Sequence, residues 1–298
     1  MSTAATEKAD LPDLGAVADV GQVVKGPSAI GSDPRRMWRL ATLLATTDFK
    51  LKFFGSVLGY LWQLVNPLML FGVLFVVFSF GLSLDAGVKY FPVGLLLGIV
   101  LFSFVSETTT NAVSSLVQRE TLVRKVDFPR LAVPLSRVLL GILNLALNMV
   151  PVLLFLVLSG ARPGLSWLLV PFGLIVLVLF SFGMSMILSI TYVRYRDVEP
   201  IWSVATQVMF YASGVFFTFD SIANREHGQL FVDLMLCSPF AMVLAAVRHW
   251  LVDPSWEAPW DAMSSPWLVL IPLSLIALSL IVGALMFRKQ SPRVAEDL

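Results

Sequence analysis

Gln118-Arg119-Glu120-Thr121-Leu122-Val123-Arg124-Lys125-Val126-Asp127-Phe128-Pro129-Arg130 places four cations and two acids within thirteen residues. Long apolar segments flank it on both sides, and a hydrocarbon core does not accept charge this dense on lipid-exposed groups. The stretch therefore lies in water between two membrane crossings. A plain cytoplasmic loop under the positive-inside rule would account for the charge. It would not account for Phe128-Pro129-Arg130 followed by Pro134, because a polar loop has no need of a large aromatic beside two helix-breaking prolines.

The rest of the chain agrees with a membrane setting. Of its 298 residues 57% are hydrophobic and only 14% charged, where soluble domains carry about a quarter charged. The expected fold is an all-α polytopic membrane protein. A net charge of +1 points to no nucleic-acid partner. The single Cys237 excludes an intrachain disulfide and a thiolate metal cluster, and His227 and His249 lack metal-ligand spacing, so no metal is expected.

Upstream, residues 1–34 combine five acids and two lysines with Gly, Pro, Ala and Ser and no apolar period, which predicts a disordered tail and no cleavable signal peptide. Ser32-Asp33-Pro34 reads as an N-cap with proline at the first helical position. Residues 35–56 then mix Arg35, Arg36, Arg39, Lys50 and Lys52 with Trp38, Leu40, Leu44 and Leu51, the pattern of an amphipathic helix on a membrane surface.

Six spans are expected from the apolar runs within 57–287. The first, 57–84, has Gly55 and Gly59 at its start and Asn66-Pro67 as a kink; Gly94 and Gly98 repeat the same spacing in the second, 91–113, and suit close helix–helix approach. Glu107 lies in the polar end of that second span and must face other helices or water. The third span is 138–158, with Asn144 and Asn148 on one face. The fourth, 167–193, carries Ser181, Ser185 and Ser189 as a packing stripe. A short charged loop, 192–198, precedes a fifth span at 201–219, and the sixth runs over 267–287 ahead of a cytoplasmic tail, 288–298.

Residues 230–252 are apolar enough to resemble another span but contain Asp233, Pro239, Arg248 and His249. If 220–265 begins and ends on one side, both termini are cytoplasmic and only Lys89, Arg162, Arg225 and Arg248 face outward. A crossing would put Arg288, Lys289 and Arg293 outside, against the positive-inside rule. The expected element is a re-entrant or interfacial hairpin broken at Pro239. Trp250, Trp256, Trp260 and Trp267 crowd its return, as at an outer membrane interface.

There is no phosphate-binding Gly-x-x-x-x-Gly-Lys-Ser/Thr stretch, no Gly-x-Ser-x-Gly elbow and no His-Glu-x-x-His helix. Enzyme chemistry and ATP binding are therefore not expected in this chain. Phe53-Phe54-Gly55-Ser56-Val57-Leu58-Gly59-Tyr60-Leu61-Trp62, ending at Pro67, resembles the first-span signature of ABC-2 type permeases that export polysaccharides and teichoic acids. Residues 122–134 (LVRKVDFPRLAVP) are similar to that family's first cytoplasmic loop, and Arg194-Tyr195-Arg196-Asp197-Val198 to its second. The likeness covers about 35–287. Two positions depart from it: Thr47-Asp48 stands where members often have Arg-Asp, and Ser213-Gly214 where they often have Ser-Pro.

The resemblance implies a homodimer in the cytoplasmic membrane, bound to a separate ATPase that holds ATP and Mg, and moving a lipid-linked glycan between its halves. It implies ATPase coupling through Arg119, Arg124, Lys125, Phe128 and Arg130, with Arg194, Arg196 and Asp197 in the second loop. Aromatic faces suit a pathway that tolerates many sugars, and Tyr60, Trp62, Trp202, Phe210, Tyr211, Phe216 and Phe217 are its candidates. The acidic tail and Ala, Val and Leu-rich spans are similar to actinobacterial members, for which cell-wall galactan is the expected cargo; O-antigen and teichoic acid fit the same motifs. A membrane scaffold without transport, or a permease for another amphiphile, is the alternative.

Overall fold

The computed structural model describes residues 34–54, 59–77, 90–120, 129–161, 164–223 and 227–291. Within them every regular element is helical. The acidic tail through Asp33, Gly55, and the coupling candidates Arg124, Lys125 and Phe128 lie outside the described residues.

Helix α1, Pro34–Phe53, begins with proline at its first position as expected. Ala41 and Ala45, one turn apart, are buried where α1 packs along a later helix, while Trp38, Leu43 and Leu51 stay exposed. Helix α2, Leu61–Phe75, has 15 residues, about 22 Å at 1.5 Å per residue and short of a ~30 Å hydrocarbon core. Gly59 precedes α2 and has φ of 48°. It turns the backbone there, and Gly55, its expected partner in close helix approach, lies outside the described residues.

Helix α3, Phe91–Val113, matches the expected second span and is followed by the single turn α4, Ser115–Gln118. Residues 91–105 are apolar except for Ser103, so this part of α3 is buried nearly all round and forms the centre of the bundle. Helix α5, Ala132–Leu158, starts six residues before the expected span. Pro134, expected to shape the loop, sits instead in the first turn of α5, where its missing N–H breaks no helical hydrogen bond. A 3₁₀ turn at Leu165–Leu169 leads into α6, Val170–Arg194. Helix α7, Val198–Tyr211, is shorter than the span expected over 201–219, because the chain turns after Tyr211 around Gly214 at φ of 72°.

Past the single turn α8, Asp220–Ala223, come α9, Gly228–Leu236, and α10, Pro239–Leu251, bent by 97° at Cys237-Ser238 as Pro239 predicted. The short α11, Pro259–Ala262, and a 3₁₀ turn at Pro266–Val269 precede α12, Leu270–Gln290. Among the described residues four stretches are long and apolar enough to cross a bilayer, Phe91–Val113, Ala132–Leu158, Leu165–Arg194 and Pro266–Gln290, with the bent α9–α10 pair a fifth if it counts as one crossing.

Close helix approach occurs between α6 and α12. A Cβ on Gly183 would lie 2.9 Å from the main-chain nitrogen of Leu280, and one on Gly283 2.9 Å from the oxygen of Gly183. Gly94 and Gly98 do something else: a Cβ there would strike the Trp256 ring at 2.4 Å and the Arg248 guanidinium at 3.0 Å. Those two glycines make room for side chains, which corrects the expected helix–helix role. Ser181, Ser185 and Ser189 are fully buried, as a packing stripe requires.

The core is divided by depth. A large cluster surrounds the first half of α3 and takes in Phe240, Val243 and Val247 of α10. A smaller one at the other end joins Leu116, Val133, Ile190, Val193 and Phe287. Helix α10 is thus a core helix, whereas α9 leaves Leu230, Phe231 and Leu234 exposed. Two polar residues of this hairpin have partners: the Asp233 carboxylate accepts from Ser264 N and Oγ at 2.8 and 2.6 Å, and His249 Nδ1 meets the Trp256 oxygen at 2.7 Å.

Candidate functional site

The helix order brings α4, the start of α5, the end of α6 and the end of α12 to one basic end of the bundle. There Arg119 Nη2 donates to Asp48 Oδ2 at 2.5 Å, and Arg137 Nη1 donates to the same oxygen at 3.1 Å. Arg137 Nη2 also reaches Gln118 Oε1 at 3.3 Å. One carboxylate on α1 therefore holds the beginning of the basic loop and the first turns of α5 together. Arg130, at the loop's other end, is only 2% exposed. Both coupling candidates that the structure describes are engaged inside the chain.

The second loop is different. Arg194, Arg196 and Asp197 are exposed, with the Arg194 guanidinium 5.6 Å from the Tyr195 ring centre and that of Arg196 5.0 Å from Tyr192. The tyrosine faces hold the cations in place without neutralising them.

Glu107 faces other helices, as its depth required. Its Oε2 accepts from Asn144 Nδ2 at 3.0 Å, its Oε1 lies 3.5 Å from Lys52 Nζ, and that amine donates to Gln63 Oε1 at 2.8 Å. The end of α1, the start of α2, α3 and α5 thus meet in one polar seam. Asp48 drew notice only within the Thr47-Asp48 departure from the family pattern and Lys52 only as a cation of the surface helix, and Arg137 was not singled out. A usable signal existed for Arg137: it is the one charged residue in α5, and a lone charge on such a helix needs a partner.

The seven pathway aromatics do not share one surface. Tyr60 and Trp62 stand half-exposed at the start of α2, with the Tyr60 ring stacked on Phe49 at 5.2 Å. Trp202 Nε1 donates to Thr109 Oγ1 at 2.9 Å, which pins α7 to α3. Further along, the Phe210 ring lies 4.4 Å from Phe102 and 4.9 Å from Phe216, and Tyr211 is exposed above Phe216 at 5.8 Å. Phe216 is buried, and Phe217 packs partly buried against the core.

Arg248 also departs from expectation. It is a buried residue, not an outward-facing cation: Nε, Nη1 and Nη2 donate to the main-chain oxygens of Gly94, Gly214 and Val215 at 3.1, 2.7 and 2.7 Å. Its guanidinium lies 4.7 Å from the Trp256 ring centre. The positive φ of Gly214 turns the backbone so that two consecutive carbonyls reach one guanidinium, a conformation closed to proline. The Ser213-Gly214 departure from the family pattern thus has a structural counterpart.

Comparison with known proteins places these features in a family. Residues 39–252, more than half of the chain, match the ABC-2 type transporter family. Two O-antigen export system permease proteins RfbA of Klebsiella pneumoniae are each 27% identical over 263 residues, covering 88% of this chain and 96% of theirs. The protein of the same name from Myxococcus xanthus is 26% identical over 193 residues, 64% of this chain and 73% of its own. With apolar helices long enough to span a bilayer and a profile match over most of its length, the chain is an integral membrane protein belonging to the ABC-2 type transporter family.

Proposed function

We propose that this chain is the transmembrane subunit of an ABC exporter that moves a lipid-linked polysaccharide across the cytoplasmic membrane, while a separate ATPase subunit holds ATP and Mg. The observation that carries this reading is the likeness, over 88% of the chain, to permeases named for O-antigen export. Among possible glycans, cell-wall galactan is the first choice, ahead of O-antigen and teichoic acid.

In this reading the basic end faces the cytoplasm, both termini lie there, and α2 and α7 with their following residues complete six crossings. The bent α9–α10 pair re-enters from the outside. The ATPase docks on Arg124, Lys125 and Phe128, whose loop is held at its two ends by Arg119 and Arg130, and on exposed Arg194, Arg196 and Asp197. A second copy of the chain covers α7, whose Ile201, Val204, Val208 and Tyr211 form an exposed apolar stripe. The glycan passes between the copies along half-exposed Tyr60 and Trp62.

Replacing Phe128 with alanine tests the docking, since one buried aromatic at such a contact contributes roughly 2 kcal/mol or more. The variant should assemble in the membrane yet lose its ATPase on purification and stop exporting. Normal co-purification together with normal export would reduce the loop to a polar connection.

A further inference from the structure

We propose that Glu107 is a positioning residue: acting through Lys52 and Gln63, it fixes the direction in which the Trp62 ring leaves α2. On the export reading above, which this inference deepens, it thereby sets the wall that the glycan meets. The link is three polar contacts in series. Asn144 Nδ2 donates to Glu107 Oε2 at 3.0 Å, Glu107 Oε1 lies 3.5 Å from Lys52 Nζ, and that amine donates to Gln63 Oε1 at 2.8 Å.

Helix α2 depends on such a link. Its buried residues are Gln63, Pro67 and Phe71, one narrow stripe along 15 residues. Pro67 and Phe71 are held by apolar packing, with the Phe71 ring edge-on to Phe155 at 5.8 Å, and packing restrains rotation about the helix axis less sharply than a hydrogen bond does. Gln63 is different, because a buried amide needs a partner and the Lys52 amine is at one point. Successive residues of a helix point about 100° apart. With Gln63 turned inward and only 6% exposed, Trp62 is carried round to the open side, where it is 46% exposed. The first turn of α2 also lacks a capping side chain: Tyr60 at the N-cap makes no such hydrogen bond, and its ring stacks on Phe49 of α1 at 5.2 Å.

Glu107 is the fixed end of the series. Lys52 carries its charge on a flexible four-carbon stem, so its amine goes where a counter-charge holds it. The Glu107 carboxylate is that counter-charge, and its own direction is set by the buried Asn144 of α5. Orientation therefore passes outward from the core, from Asn144 on α5 to Glu107 on α3, to Lys52 on α1, and to Gln63 and Trp62 on α2. Both carboxylate oxygens face protein partners, which suits a residue that acts through another and not one that holds cargo itself. An apolar side chain of similar length at position 107 would let the Lys52 amine turn away from α3, and Gln63 would lose its fixed point.

The test is fluorine NMR on the purified full-length chain in lipid nanodiscs, with fluorotryptophan at all eight tryptophans. The Trp62 signal is the one missing from Trp62→Phe, and the signal of Trp267, identified in the same way, is the control. In Glu107→Met the Trp62 signal should shift and broaden while that of Trp267 stays in place. Lys52→Met should have the same effect, and Lys52→Arg, which keeps donors for both Glu107 and Gln63, should leave the wild-type signal. If Glu107→Met does not fold, Lys52→Met carries the test; if neither folds, the pair supports the whole fold and the proposal is overturned. An unmoved Trp62 signal overturns it, and so does an equal change at Trp267. Export is measured separately, with the ATPase present. Glu107→Met should lose about fivefold in export per folded dimer, as one lost ring contact would, and adding Trp62→Ala should lose no more. Losses that add overturn the link between the two residues. A Trp62 signal that moves while export is unchanged keeps the positioning and removes the ring from the export pathway, so the two readings fail separately.

Discussion

Arg119 reaches across 71 positions of sequence to share the Asp48 carboxylate with Arg137. All three side chains are largely shielded, so the pairs are screened less than surface ion pairs. The arrangement fastens Arg119, just past α4, to α1 and α5.

Asp48→Asn should therefore cost about 2 kcal/mol, the scale for hydrogen bonds to a charged group. A lowered melting temperature in detergent checks the size. A double-mutant cycle with Arg119→Gln checks the cause, because the two losses should overlap instead of adding. Additive losses would mean that the two residues act independently.

Gly214 and Arg248 form a second linked pair. Gly214→Ala forces a Cβ into a left-handed backbone and should cost about 1 kcal/mol or more. Arg248→Met strands the carbonyls of Gly94, Gly214 and Val215 in a buried site, at about 1–3 kcal/mol for each one left unpaired. The combined variant should be less damaged than the sum of the singles, read from thermal unfolding in the same nanodiscs.

The hairpin reading is checked by labelling. In a Cys237→Ala background, single cysteines at Asn224 and Ser255 should both react with an impermeant maleimide added to intact cells. Reaction at only one of them would make the α9–α10 pair a full crossing.

Trp62 is 46% exposed at the start of α2, as the proposed pathway requires of a ring that touches the glycan. Trp62→Ala should lower export per folded dimer by the loss of about 1 kcal/mol of ring contact, and Trp62→Phe should keep most of it. The identity of the exported glycan should stay the same, because stacking reads ring shape and not hydroxyl pattern. Unchanged export in Trp62→Ala removes this residue from the pathway.

The helices were legible wherever one physical demand dominated. Residues 91–105 are apolar except for Ser103, and that part of α3 is buried nearly all round. Pro239 announced a break, and the chain bends by 97° there. What stayed hidden depended on partners far away in sequence. Gly94 and Gly98 have the spacing of a helix contact, and nothing local says that Trp256 and Arg248 will fill the space above them. Arg248 read as an outward cation because its acceptors are main-chain oxygens from two other segments, and carbonyl groups leave no mark in a sequence. Part of the candidate site was more accessible than it seemed: the lone cation of α5 called for an acid on a neighbouring helix.

The central claim is that this chain carries lipid-linked polysaccharide across the membrane by means of a separate ATPase. The most direct measurement is the share of that glycan reached by an impermeant lectin or oxidant on spheroplasts depleted of the chain. The account predicts that full-length glycan accumulates in a protected, cytoplasm-facing pool, and that wild-type chain returns it to the outer face only when the partner ATPase can hydrolyse ATP. An outer-face pool unchanged by depletion, or restored alongside an ATPase that cannot hydrolyse ATP, would contradict it.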